Sequence, residues 1–399
     1  MKKLVYLCGM MLLSMNMVAQ INGDSNWREF FIEEFEESPS YWIWDTNNFS
    51  NIHYYNWKAY IGSRVDSDSL CHIYQYKNAQ HDPINGYMKL VSNYDSEGKI
   101  QRKKFNLPTN GSSYGSIYYP NKHYFSGAIE YVYNIWDTTG LGRFKYGYFE
   151  IRCKLPTHKG AFPAFWLHGA STNSSDPYYE EIDIFEYSWA LGSPSADWLP
   201  IPNPNPTFPG DPRVITTGIY HNLHGQGYSF DTDTYARNYP RLSNNQGDLS
   251  DWHIYSCEWM PDHVYWYLDG QLVNSFVDPL HIPRHPMYLK TNYAIDNYCM
   301  HNGSIWMGSG YLTIDYIKVY QLNCDCSTDE VITCQNDLNS FIVHPSVKNS
   351  ISIAPISGTI TVGNTDKVTF RVADTFEITG PFQADYGCEF TVIRQDCPE

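Results

Sequence analysis

Glu181, Asp183 and Glu186 lie within one hexapeptide, Glu181-Ile182-Asp183-Ile184-Phe185-Glu186. Crowded carboxylates are the material of acid–base chemistry: like charges repel, so one acid keeps its proton near neutral pH while another stays ionised. In a strand, residues i and i+2 share a face. Glu181 and Asp183 therefore point together, and strict alternation sends Glu186 to the other side. One extra residue, a β-bulge at Ile184-Phe185, returns Glu186 to the face of the first two acids. Glu181 and Glu186 then stand about four strand steps apart, or ~13 Å at ~3.3 Å per step. Side chains leaning toward each other can narrow that to the ~5 Å at which two carboxyls perform a double displacement at a glycosidic carbon; an inverting pair needs a wider gap to admit water. Asp183, midway, can hydrogen-bond a neighbour and help set which acid is charged. The apolar residues between the acids support a buried back face. A strand edge bearing solvated acids would show the same three carboxylates, and the hexapeptide alone leaves both readings open.

The elements around it are strands. Segments such as 87–91, 147–152, 263–268 and 312–320 alternate with period two or are short β-branched and aromatic runs, bounded by Gly, Pro, Asn or Asp. No amphipathic helical pattern persists. Many short strands between turn signals predict an all-β sandwich or jelly roll. Asp269-Gly270 has the chemistry of a two-residue hairpin turn. After the acidic strand, residues 187–214 are proline-rich (Pro194, Pro200, Pro202, Pro204, Pro206, Pro209, Pro212) and predict a loop walling a cleft, with Trp189 and Trp198 either as sugar platforms or as pins for the loop. Past a Cys-rich boundary, strands at 351–353, 358–362, 368–372 and 390–393 predict a small second β module. The expected domains are a leader over 1–19, the catalytic sandwich over 20–322 and the accessory module over 323–399.

Bulk properties narrow the partners. The formal net charge of -16 argues against nucleic acid, whose binding needs a basic footprint. Aromatic residues make up 16% of the chain, enough to fill a β core and still line a groove with flat rings suited to sugars. Lys2 and Lys3, the apolar stretch Leu4 to Leu13 and the small residue Ala19 read as a signal peptide. The apolar stretch is too short to span a membrane, so a secreted, periplasmic or cell-surface bacterial protein is expected, soluble and monomeric. Nine cysteines follow the leader: no pair has zinc-ligand spacing, and disulfides are expected among the five in the last 80 residues.

Several motifs in order resemble glycoside hydrolase family 16, the family of laminarinases, lichenases, agarases and κ-carrageenases. Residues 181–186 look like its E-x-D-x-x-E signature, 31–35 its opening strand, and 146–156 and 162–167 the strands before the catalytic one. Residues 252–259 and 266–270 are similar to later strands and 314–320 to the closing one. The resemblance implies a concanavalin-like jelly roll with a concave substrate cleft. It implies Glu181 as nucleophile, Asp183 as its assistant and Glu186 as acid/base, with Trp166 near the cleft. His221 is a candidate for substrate binding or for a structural role. No cofactor is required; some relatives hold a structural calcium, for which Glu34 and Asp315 occupy comparable places. Residues 376–390 resemble a small accessory module at the C-termini of exported bacterial proteins.

The departures bear on the sugar. Ile295-Asp296-Asn297-Tyr298 stands where laminarinase-like members carry a Gly-Gly pair, and the aromatic segment 52–57 and the Pro-rich loop are unlike a minimal glucanase. The expectation is a retaining endo-hydrolase of a 1,3-containing β-glucan, laminarin or mixed-linkage glucan. The alternatives are a red-algal galactan hydrolase acting on agarose or porphyran, and a non-catalytic carbohydrate-binding jelly roll.

Overall fold

The computed structural model describes residues 27–36, 43–44, 52–54, 57–59, 72–74, 78–94, 124–131, 143–169, 179–188, 212–221, 234–243, 245–278, 280–295, 307–322, 324–332, 347–354, 359–362, 367–384 and 389–394. Among them there is no α-helix, and none long and apolar enough to cross a membrane. The chain divides into two compact units: Ile32–Trp259 with His263–Lys318, and Met1–Phe31 with Met260–Asp262 and Val319–Glu399.

Two ten-stranded sheets dominate. The first runs β18 (Gln271–Phe276), β17 (Val264–Leu268), β16 (His253–Trp259), β11 (Gly147–Lys154), β20 (Ser309–Leu322), β7 (Tyr87–Tyr94), β8 (Tyr124–Ser126) and β5 (His72–Tyr74), with β1 (Trp27–Glu33) on β20 and β6 (Ala79–Asp82) on β7. The second runs β15 (Thr234–Asn238), β14 (Thr216–His221), β13 (Glu180–Glu186), β12 (Ala161–Gly169), β19 (Met287–Ile295), β9 (Ala128–Tyr131), β4 (Trp57–Ala59), β3 (Ile52–Tyr54) and β2 (Ile43–Trp44), with β10 (Arg143–Phe144) on β19. This is the all-β, jelly-roll type of sandwich that the period-two segments predict. Non-neighbouring segments pair across it, as when β11 joins β16 and β12 joins β19.

Alternation decides what lies between the sheets. Phe149, Ile151 and Cys153 of β11, Tyr255 and Cys257 of β16, and Phe165 and Leu167 of β12 are fully buried. The Phe185 ring meets Tyr255 across the gap with centroids 4.5 Å apart, and Trp266 Nε1 of β17 donates to the Asp183 carbonyl of β13 at 2.8 Å. An indole placed between apolar walls needs such an acceptor, and here it ties the backbone of the acidic strand to the opposite sheet. Cys153 and Cys257 are free buried thiols. Trp57, from the aromatic segment expected to shape subsites, is instead fully buried against Tyr131.

The hairpin between β17 and β18 forms as its Asp-Gly turn predicts. Leu268 pairs with Gln271, and Asp269 and Gly270 have φ of 49° and 75°. The Asp269 carboxylate accepts the Ile254 N–H at 2.9 Å and His253 Nδ1 at 2.8 Å, pinning the turn to β16.

The C-terminal strands form a different object. β21 (Cys324–Ile332), β22 (Val347–Ile353), β24 (Lys367–Ile378) and β26 (Glu389–Arg394) pair in parallel, and β23 (Ile360–Val362) pairs in parallel with β25 (Phe382–Ala384). From β22 onward the strands alternate between the two sheets, and the last ladder of each steps by 22 residues: Ile360 pairs with Phe382 and Lys367 with Glu389. That is a coil stacked on a coil, a short solenoid, with Ile351, Ile353, Ile360, Val362, Phe370 and Val372 as its shared core.

Replacing Asp269 by Ala removes these bonds and a longer one from Gln246 Nε2, and leaves a non-glycine residue at positive φ. Thermal and urea unfolding are expected to show a loss of about 2 kcal/mol.

Candidate active site

The chemistry of the hexapeptide rests on its register. On one side β13 pairs with β12 as Glu181–His168, Ile182–Leu167, Asp183–Trp166, Phe185–Phe165 and Glu186–Ala164. On the other it pairs with β14 as Glu181–Tyr220, Ile182–Ile219, Asp183–Gly218 and Glu186–Thr216. Ile184 has no partner in either ladder. It is the extra residue of a bulge, at the position the parity of the acids requires. Ile182 and Phe185 stay in the core, and Glu181, Asp183 and Glu186 share the face turned away from it.

The cluster is largely shielded from water: Asp183 is 2% exposed, and Glu181 and Glu186 are half-buried. Burial, then the charge of Glu181, pushes the Glu186 carboxyl up to about 7, with Arg237 acting against the rise. Burial, then the charges of Glu186 and Glu181, pushes Asp183 well above the usual carboxylate range. Asp183 also hydrogen-bonds Glu181. A protonated Asp183 donates that bond, which leaves the negative charge on Glu181. Tyr179 adds a hydroxyl at 3.4 Å from Glu181 Oε2. One ionised carboxylate and one neutral acid of matched strength thus stand on a single face, as a nucleophile and a proton donor must.

Trp166 sits on the same face beside Asp183. Its Nε1 donates to Asn292 Oδ1 at 2.7 Å, and Lys290, its partner on β19, lies over the ring at 5.2 Å while pairing with Glu130 at 3.2 Å. A cross-strand row Glu130–Lys290–Trp166–Asp183–Gly218 therefore spans the sheet. His168, buried opposite Glu181, sets its ring edge-on to Trp166 and Tyr179.

His221 pairs with Glu180; the residue opposite Glu181 is Tyr220, which the motif reading passed over. Counting by two from Gly218 would have found it. Burial, reinforced by Asp183 and Glu186, keeps the Tyr220 hydroxyl protonated. Arg237 on β15 was missed too. Trp189 and Trp198 lie outside the described residues. The Asp315 carboxylate is ion-paired with Arg152, so a calcium there would have to displace a guanidinium. Glu34 is exposed, and among the described residues no three His, Cys, Asp or Glu gather as a metal site.

Residues 138–318 match the family model for glycosyl hydrolases family 16. The chain is 28% identical over 208 residues to a beta-glucanase of Rhodothermus marinus, covering 46% of this chain and 60% of that one. It is 26% identical over 180 residues to the endo-1,3-1,4-beta-glycanase EglC of Rhizobium meliloti, covering 45% and 31%. It therefore spans less than two thirds of these relatives. The laminarinase catalytic domain from Thermotoga maritima superposes with a TM-score of 0.49 at 22% identity, over 74% of this chain and 98% of that one.

A raised carboxyl carries a sign for stability. Glu186 in the fold titrates near 7 against 4.5 as an ordinary carboxyl, so its contribution is intact below about 4.5 and is lost as pH rises through about 7. Glu186→Gln is therefore expected to melt higher than the parent at pH 8 and at the same temperature below pH 4, measured by thermal unfolding at the two pH values.

Proposed function

We propose, on the premise that residues 138–318 are a glycosyl hydrolases family 16 domain, that the chain is a retaining endo-glycoside hydrolase of a β-linked polysaccharide. The observation that carries this reading is the bulge at Ile184, which sets Glu181 and Glu186 on one face with Asp183 between them.

In the first step the Glu181 carboxylate attacks the anomeric carbon. The glycosidic C–O bond breaks, and Glu186 gives its proton to the departing oxygen. Asp183, protonated and bonded to Glu181, orients the nucleophile. In the second step Glu186, now ionised, takes a proton from water; the hydroxide attacks the same carbon and Glu181 leaves as a carboxylate. A sugar hydroxyl in place of that water gives transglycosylation. Trp166, on the same face, is the aromatic platform for a sugar ring. No step needs a metal or cofactor.

The polysaccharide we assign is a 1,3-containing β-glucan, laminarin or mixed-linkage glucan; the name of the Rhodothermus marinus relative supports a β-glucan and that of the Rhizobium meliloti relative the 1,3 linkage. The basic and apolar N-terminus supports export, which would bring the enzyme to such a polymer outside the cell.

Reducing-end release with product sizing on laminarin, mixed-linkage glucan, agarose and porphyran tests both class and substrate. Oligomers of several sizes released early from a glucan are expected; release from agarose or porphyran alone would move the substrate to a red-algal galactan. Glu181→Ala is expected to lower turnover by a factor on the order of 10⁴ while still binding oligosaccharide. Unchanged turnover would remove Glu181 from the mechanism and favour a carbohydrate-binding protein. Because Glu186 must enter the cycle protonated, kcat/KM is expected to fall as pH rises through about 7.

A further inference from the structure

A second bulge lies next to the first. In the β14–β15 ladder Thr217 pairs with Asn238 and Ile219 with Tyr235, so Gly218 alone faces both Ala236 and Arg237. Ala236 has φ of 54°, a left-handed conformation that is strained for a residue with a Cβ. The conformation is held from the other sheet: Asn274 Nδ2 on β18 donates to the Ala236 carbonyl at 2.6 Å and to Thr217 Oγ1 at 2.9 Å. A strained alanine clamped by a side chain of the opposite sheet is a fixed feature, and what it aims is Arg237.

Gly218 is the partner of Asp183 on its other side. A Cβ at Gly218 would lie 3.8 Å from the Arg237 Cα and 3.9 Å from the Tyr220 ring. The Arg237 backbone thus runs beside the residue that pairs with Asp183. The groups facing Glu186 are Glu181 and Asp183 on its own strand, Tyr220 from β14 and Arg237 from β15; β12 offers Ala164 opposite Glu186 and His168 opposite Glu181. Arg237 is the cation among them. Burial works against its charge, but Tyr220, Tyr239, Glu186 and Asp183 outweigh it.

We propose that Arg237 is a positioning residue of this reaction, carried by the Ala236–Arg237 bulge over Gly218, the partner of Asp183, to the carboxylate cluster, where it stabilises the negative charge that arrives as Glu186 gives up its proton. The inference rests on the double-displacement reading. In that reading the cluster carries one negative charge before and after the first step. The charge sits on Glu181 at the start; when Glu181 becomes an ester and Glu186 loses its proton, it sits on Glu186. Arg237 acts on Glu186 and Asp183, so its cation stabilises the charge once it has moved to Glu186.

Arg237→Met and Arg237→Lys, with Asn274→Ala as a variant that loosens the bulge without touching the cluster, test this. The readouts are the pH profile of kcat/KM and the carboxyl titration of Glu186 by 13C NMR, assigned with Glu186→Gln. In Arg237→Met the plateau of kcat is expected to fall roughly ten- to a hundredfold. The alkaline limb and the Glu186 titration should both move up by about one pH unit. Arg237→Lys is expected to restore the limb, and Asn274→Ala to move it part of the way. Lost activity with an unmoved limb and titration in Arg237→Met would overturn the proposal, leaving Arg237 a structural role. Should the titration move while Glu181→Ala stays fully active, the double-displacement reading fails, and with it the role of Arg237 in a charge shift.

Discussion

Everything at this site depends on one residue that pairs with nothing. Strand periodicity is two, and an acid at position 181 and another at 186 are of opposite parity. Ile184, unmatched in both ladders, changes that parity while leaving Ile182 and Phe185 in the core. The irregularity is supported from behind: the indole of Trp266 binds the Asp183 carbonyl, and Phe185 packs on Tyr255. The opposite sheet thus holds the acidic strand in a shape that its own ladder would not select.

Once three carboxyls share a half-buried face, electrostatics sort their roles. Burial and mutual repulsion raise Asp183 and Glu186, and the hydrogen bond between Asp183 and Glu181 leaves Glu181 as the natural seat of the charge. The arrangement costs folding free energy at neutral and alkaline pH, as sites that hold like charges together do. The neighbouring β14–β15 ladder repeats the device. There a second bulge, made by a left-handed alanine and clamped by Asn274, aims a cation instead of an anion.

Much of this was legible in the amino-acid order, and the limits have physical causes. An alternating segment such as Val264–Leu268 showed a strand, because a half-buried pleat leaves a period-two trace. The Ile184 bulge was legible because three functional groups of mixed parity demanded it. Tyr220 shares the parity of Gly218 and was open to the same counting, yet the neighbouring His221 drew attention by residue type. Arg237 left no trace: its place depends on a positive φ at an alanine, which no residue pattern announces. The solenoid was seen as strands but not as a coil, since its repeat lies in strand spacing and not in residue identity.

The central claim is that Glu181 and Glu186 divide covalent and proton-transfer work on one face. Incubation with an activated 2-deoxy-2-fluoro oligosaccharide, followed by peptide mapping, tests it directly. The account predicts one glycosyl adduct, esterified to Glu181. An adduct on Glu186, or release of product with inverted anomeric configuration and no adduct, would contradict it.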